Sequence, residues 1–502
     1  MDQRELRSIR SYPASCFFIL LVLTALAHGN VSLPHVFSDQ MVLQRQMPVR
    51  VWGMAAAGES VSVTFRGETR NTSADSLGRW QLNLSPAAAG GPYELTVQGT
   101  NTIVFHDVLV GDVWVASGQS NMEFPMTGLE KAKDEIAAAR FPKIRLLRVK
   151  HAYSFYPLDD VDAGPWTDCN PDSVGSFSAV AYYFARELQE RDNVPIGLIE
   201  SSWGGTLAEA WTSLHTLSSD AGLMPVFHAW ANMTDHQAET ALMLVKEKKE
   251  TDDARQAGKE PPHFQWHPEP HMWAPAELYN AMIAPLTPFA IRGVIWYQGE
   301  SNSRLERAPL YERLFPALIQ DWRNHWAEGD FPFLFVQISN FKSGPGEDWA
   351  TIREAQRKTL AIRNTAMAVT IDIGNPDDVH PKNKRDVGHR LALAARAVAF
   401  GESVEYSGPL FRQVSSEPHA LRVWFDHADK LVARGGELKG FEVAGDDGNF
   451  VPAQARIDGT TVVVSSPTVP APVLVRYGWA NSPECNLFNG PDLPASPFTS
   501  AK

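Results

Sequence analysis

Cysteine is nearly missing from this chain. Only three occur in 502 residues, at positions 16, 169 and 485. That excludes a disulfide framework and a cysteine-based zinc site. Cys169 and Cys485 leave room for one bridge across a very long loop, which depends on a distance in space rather than in sequence. Long apolar runs are missing after residue 29, so no later stretch reads as a membrane-spanning helix. Excess positive charge is missing too. The formal net charge is −13, which argues against nucleic acid and anionic membrane surfaces as main partners. Cofactor fingerprints are absent: no Gly-x-x-x-x-Gly-Lys, no Gly-x-Gly-x-x-Gly after a strand and no His-Glu-x-x-His, so no cofactor or metal is expected. A neutral polymer or a small ester remains open as substrate. The 15 Trp residues fit a sugar ligand, because Trp stacks on sugar rings as well as filling cores.

Residues 1–29 read as an export signal. Arg4, Arg7 and Arg10 precede an apolar run, 16–27, that is too short to span a bilayer. Ala25-Leu-Ala27 and Ala27-His-Gly29 are candidate cleavage sites, and Cys16 lies on the wrong side of the run for a lipid anchor. A periplasmic or extracellular location is therefore expected. Asn71 and Asn232 begin glycosylation sequons, which matter only in a host that glycosylates.

Residues 30–108 alternate apolar and polar at 49–53, 61–65, 80–84 and 93–97, with Gly- and Pro-rich turns between. This predicts a small sandwich of antiparallel strands with a structural or sugar-contacting role. From 109 to 400 strands alternate with helices. Strands are expected at 196–200, 293–297, 333–338 and 367–371, and helices near 310–322, 352–362 and 386–400. A further helix is capped by Ser178, with Val180, Tyr183, Phe184 and Leu188 on one face. That alternation implies a parallel sheet covered on both faces. Residues 215–275 interrupt it as an insertion, with a charged helix over 240–259. There His263, His267 and His271 recur at four-residue spacing and invite a metal reading. The prolines among them exclude a regular helix, so the spacing does not gather them on one face, and a loop at the rim of a site is the better reading. Residues 401–502 return to β character, with strands at 421–425, 440–444, 461–464 and 473–477 and turns at Asp447-Gly and Asp458-Gly.

The chemistry centres on 113–123. Val113-Trp-Val115 is strand-like, the strand breaks at Gly118, and Ser120 stands just past its end. Strand carboxyl ends are where open α/β sheets bind ligands. A serine there can also simply cap the next helix. The block Ser-Gly-Gln-Ser-Asn-Met-Glu resembles the serine block of the sialate O-acetylesterase family, a branch of the SGNH hydrolases. The resemblance continues in order through Phe37–Gln44, Ser201-Ser-Trp-Gly-Gly-Thr206, Trp296-Tyr-Gln-Gly-Glu-Ser-Asn302 and Asp378-Val-His-Pro-Lys382. It implies a three-layer α/β/α catalytic domain with a flavodoxin-like parallel sheet, flanked by two small all-β domains.

Serine ester hydrolysis needs a nucleophile, a base, a group that orients the base, and donors for the oxyanion. Ser120 is the nucleophile candidate. The second glycine of Gly-x-Ser-x-Gly is missing, which argues for the SGNH layout over the α/β-hydrolase turn. His380 is the base candidate, in a strand-end loop among acidic neighbours. For the orienting acid, the resemblance implies Asp377, three residues before the histidine. Asp378, which fits Asp-Val-His-Pro in this branch, and Glu300 are the alternatives. Oxyanion donors are expected from the amide of Ser120 and from Gly204 or Gly205, where glycine permits close backbone approach. The usual third donor is an Asn; here Gln298 stands with Asn302 four residues on. The expected function is an exported serine esterase that removes acetyl groups from sugars, sialate first, acetylated xylan or other hemicellulose second. An exported carbohydrate-binding protein without catalysis is the rival of a different class.

Overall fold

The computed structural model describes residues 30–234, 237–264, 268 and 270–501. The expected export signal and His267 lie outside the described residues.

The organising element is β1 (Thr102–Gly118), a strand of 17 residues with two different lives. Its first part pairs antiparallel with Gly90–Gln98, and its later part pairs in parallel with two other strands. Burial follows the change. Residues 102–107 are exposed or half-buried, whereas 108–118 are buried without a break. A strand covered on one face alternates, and one covered on both faces reads as continuous apolar chain. β1 thus runs through position 108 and joins the β-rich first part to the large sheet. The other strands there are Val49–Met54, Ser60–Phe65 and Arg79–Leu84, at the expected places, together with Val42–Gln44 and Glu68–Ser73, which were not expected; Val61, Val63 and Phe65 point inwards.

The parallel part of the sheet adds β2 (Phe141–Arg148), β3 (Ile196–Ser202), β4 (Gly293–Tyr297), β5 (Phe333–Val336) and β6 (Thr365–Ala368). Their spatial order is β6-β5-β4-β1-β3-β2, with every neighbouring pair parallel. All six therefore end on one edge. Helix α1 (Ser120–Glu123) follows β1, and α2 (Ala179–Asp192) is capped by Ser178, whose Oγ accepts from the Ala181 amide at 3.1 Å. The later helices are α3 (Ala308–Trp326), α4 (Trp349–Thr359) and α5 (Lys384–Val398); α2 packs against α5 and α3 against α4.

Two differences from the sequence reading stand out. β2 was not expected, because Lys143, Arg145 and Arg148 interrupt its apolar pattern. Arg145 is nonetheless buried and pairs with Asp107 at 2.8 Å. β6 ends at Ala368 rather than near 371, since Thr370 turns its hydroxyl to the Gln337 carbonyl at 2.6 Å.

In the insertion, Gln237–Gln256 is helical and largely solvent-facing, with i,i+4 pairs Lys248–Asp252 and Lys249–Asp253. Residues 410–499 form small antiparallel sheets around a core of their own that includes Val423, Phe441, Val475, Tyr477 and Phe498. Cys169 and Cys485 are both free.

Candidate active site

Ser120 opens α1, one residue beyond Gln119 and two beyond the end of β1. The turn depends on Gly118. Its φ is +132°, and a Cβ there would stand 2.2 Å from the Tyr297 carbonyl oxygen. His380 arrives from the loop between β6 and α5. Because β1 and β6 point the same way, that loop lies over the same sheet edge. His380 Nε2 sits 2.8 Å from Ser120 Oγ, the separation of a hydroxyl donating to an imidazole. The sequence-expected nucleophile and base, 260 residues apart, are in contact. Burial holds the His380 imidazolium below its ordinary pKa of 6.5; Lys384 and Lys382 lower it further, while Asp378 opposes them.

The expected orienting acid is placed otherwise. The Asn375–Asp378 turn swings the Asp377 side chain outwards, where it is 83% exposed and 4.0 Å from Lys342. No contact joins it to His380. Asp378 is the carboxylate beside the histidine: its Oδ1 accepts the His380 backbone N–H at 2.9 Å, and Lys382 lies 3.7 Å from its Oδ2. Glu300 is buried and meets Asn121 rather than His380.

Asn121 is a residue that the sequence reading did not single out, although it lies within the serine block. Its Nδ2 donates to Glu300 Oε1 at 2.6 Å and to the Val379 carbonyl at 3.0 Å, and its Oδ1 accepts from Lys384 Nζ. One amide thus ties the serine turn, the Glu300 turn and the histidine loop together. Lys384 is fully buried, with its ammonium 4.9 Å from the Phe124 ring and 5.3 Å from that of Tyr297. Burial pushes its pKa down to about 7 and raises that of Glu300.

Gly204 comes close to the serine as expected: a Cβ on it would lie 3.2 Å from Ser120 Cβ. Its amide is already engaged, donating to Glu123 Oε2 at 2.6 Å. Glu123 is also paired with His151 Nε2 at 2.8 Å, and Arg148 stands 3.7 Å away. Behind them Glu200 is buried at the end of β3; burial raises its pKa to about 7, with Arg148 opposing the shift and Glu123 adding to it. The amides of Ser120 and Gly205 make no hydrogen bond among the described residues.

Gln298 and Asn302 are differently employed. Gln298 Nε2 donates to the Thr206 carbonyl and to Asn302 Oδ1, and Asn302 Nδ2 donates to Glu209 at 2.8 Å. Both side chains are buried and lock the 204–209 loop to the end of β4. Their amides face that network rather than an oxyanion at Ser120. A cavity of about 410 Å³ opens at the serine, lined by Ser120, Glu123, Phe124, Arg148, Ser176 and His380 among others. Of the insertion histidines that are described, His263 Nδ1 lies 3.2 Å from the Phe264 carbonyl and His271 Nδ1 is 2.8 Å from Glu277, and neither belongs to a metal-holding cluster among the described residues.

Known proteins resemble this chain over nearly its whole length. A family model described as carbohydrate esterase, sialic acid-specific acetylesterase, matches residues 263–397. The mouse sialate O-acetylesterase is 31% identical, covering 97% of this chain and 98% of that protein. The human sialate O-acetylesterase is 32% identical, covering 92% of this chain and 91% of its own length. A crystal structure of a carbohydrate acetylesterase from Xanthomonas citri superposes with a TM-score of 0.82 at 40% identity, over 94% of this chain and 100% of the other.

Proposed function

Because the chain belongs to the sialate O-acetylesterase family, and is with it a carboxylic ester hydrolase, we propose that it removes O-acetyl groups from sugars by serine catalysis. O-acetylated sialic acid is the first substrate candidate and acetylated xylan or another hemicellulose the second. The observation that carries the mechanism is the 2.8 Å contact between Ser120 Oγ and His380 Nε2. Ser120 attacks the acetyl carbonyl as His380 takes its proton. The histidine returns that proton to the departing sugar hydroxyl, and water then releases acetate from the acyl-serine.

Asp378 holds the histidine loop through the backbone of His380 and faces its imidazolium with negative charge. The amides of Ser120, Gly204 and Gly205 serve the oxyanion. For Gly204 this requires the Glu123 carboxylate to give way when the substrate carbonyl arrives. The packing of α2 with α5 and of α3 with α4 supports reading the sheet as the middle of a three-layer SGNH domain, between an N-terminal domain at 30–108 and a C-terminal one at 401–502. The basic start and apolar run of residues 1–29 support export.

The test is acetate release by the purified chain from O-acetylated sialic acid and acetylated xylan side by side, with Ser120→Ala as control. The variant is expected to lose at least about 10³ of the rate, as removal of a serine nucleophile does. A folded Ser120→Ala protein that released acetate at the original rate would sink the mechanism. Release from sialic acid alone favours the first substrate, and release from xylan alone the second.

A further inference from the structure

The 149–166 loop, after β2, starts at the candidate active site and leaves it. His151 reaches Glu123, three residues beyond Ser120, and its ring lies 4.4 Å from that of Trp203, within 2° of parallel. Trp203 precedes Gly204, so this stacked pair stands at the edge of the cavity.

Beyond His151 the loop turns aromatic and outward. Tyr153, Phe155 and Tyr156 are 46%, 71% and 67% exposed. Large apolar side chains grouped this way on a surface mark a binding site more often than chance exposure. The group is also held in place. Tyr153 stacks on His271 at 4.2 Å, Phe155 meets the edge of the same imidazole at 5.6 Å, and His271 is fixed by Glu277. The backbone between them is pinned where Ser154 N donates to the Glu277 carbonyl and Leu158 N to that of Asn280. Rings mounted rigidly lose little entropy when something stacks on them.

The loop then enters a second cleft, of about 600 Å³, between the first β region and the segment 284–288. Leu158, Asp159 and Asp160 line it with Trp52, Arg79 and Gln81. Arg79 is paired to Asp75, Asp160 meets the His35 imidazole, and Asp159 has no cationic partner among the described residues, which leaves the cleft with acidic charge. Four steps of chain separate His151 from Phe155, a reach of at most about 14 Å. The cavity at Ser120, the aromatic group and the second cleft therefore follow one another along a single loop.

We propose that residues 151–160 form a track for the sugar units beyond the acetylated one, which favours the second of the two candidate substrates, a neutral acetylated oligo- or polysaccharide, over free O-acetylated sialic acid. Pyranose rings offer apolar C–H faces that stack on Tyr, Phe and Trp, while their hydroxyls suit the carboxylates alongside. Unbalanced acidic charge disfavours an anionic polymer. The proposal rests on the acetylesterase reading above.

Its test compares kcat/KM on chemically acetylated xylohexaose and chemically acetylated xylose, with 4-nitrophenyl acetate as a probe that needs no track. The native chain is expected to prefer the hexaose by about tenfold or more, the size that one or two stacking contacts supply. The triple variant Tyr153→Ala, Phe155→Ala, Tyr156→Ala should lose that preference through KM. It should keep its rate on acetylated xylose and on 4-nitrophenyl acetate. Equal rates on both sugars in the native chain would overturn the track, as would a hexaose preference that survives in the variant. So would an equal loss on all three substrates, which would mean that the loop supports the site rather than the sugar. Turnover of 4-nitrophenyl acetate without acetate release from either sugar would overturn the track and leave the esterase reading in place, whereas no release from any of the three would count against the esterase reading itself. In that case titration of unacetylated xylohexaose into native and variant chains decides the track separately, with weaker binding by the variant supporting it and equal or no binding overturning it.

Discussion

At the scale of single residues, His380 must be neutral to accept the Ser120 proton. Burial and the two lysines keep its pKa below 6.5, so kcat/KM should hold level down to that region and fall tenfold per pH unit below the histidine's own pKa. The charged groups facing it are Lys384, Lys382 and Asp378, with Glu123 and Arg148 on the same cavity wall. Removing the Lys384 charge relieves repulsion of the imidazolium and raises its pKa. Lys384→Met should therefore move the acid limb of the pH profile upwards. A limb that stays in place would show that Lys384 does not bear on His380. The two aspartates separate as cleanly. Asp377→Asn should leave kcat within about twofold, as expected of an exposed surface charge. Asp378→Ala should cost roughly 10², because the histidine loop loses both a charge and a backbone anchor. The reverse outcome would restore Asp377 as the orienting group. The sequence could not separate these neighbours, since the 375–378 turn decides which carboxylate faces inwards.

At the scale of elements, legibility followed burial. β3, β4 and β5 are covered on both faces, and their apolar runs show it; β4 begins and ends where expected. The edge-proximal β2 carries Lys143, Arg145 and Arg148 because its partners are Asn193, Asp107 and the glutamates around Ser120. Its pattern is set by ion pairs that only the fold assembles, so periodicity missed it. The site divides in the same way. Ser120 and His380 were legible because strand ends and short motifs mark them. The engagement of Gln298 and Asn302 was not, because whether an amide faces a cavity or a neighbouring loop depends on residues 90 or more positions away, such as Thr206 and Glu209. Asn121 was printed in the serine block from the start. Its importance lies in three partners, at 300, 379 and 384, that no local pattern connects.

At the scale of the whole molecule, β1 and a shared apolar core make the first β region and the parallel sheet one body, whereas residues 410–499 keep a separate core. Beside Cys485, which packs against both cores, polar contacts fasten that second body. Arg353, on α4, is wholly buried and gives every arm of its guanidinium to a carbonyl. Nε donates to Ile338 at 3.0 Å, Nη1 to Ala480 at 2.7 Å, and Nη2 to both Ser339 and Asn481 at 2.8 Å. Nearby, Gln337 Nε2 donates to Ser496 Oγ, and the Trp349 amide to Asn481 Oδ1. Methionine would fill much of the same volume without any donor, leaving the buried Ile338 and Ser339 carbonyls unpaired, whereas that of Asn481 keeps the Phe341 amide. Each buried unpaired group costs about 1–3 kcal/mol, so Arg353→Met should destabilise the junction by at least about 2 kcal/mol. Because the two cores are distinct, the loss should not spread evenly. Amide exchange should accelerate first across 410–499 and the 338–343 loop, while β1 and β3 keep their protection. Uniform acceleration would mean that the chain unfolds as one unit in spite of its two cores. No acceleration at all would mean that apolar contact, rather than the arginine, holds the C-terminal sheets against the end of β5, close to the loops that position Ser120 and His380.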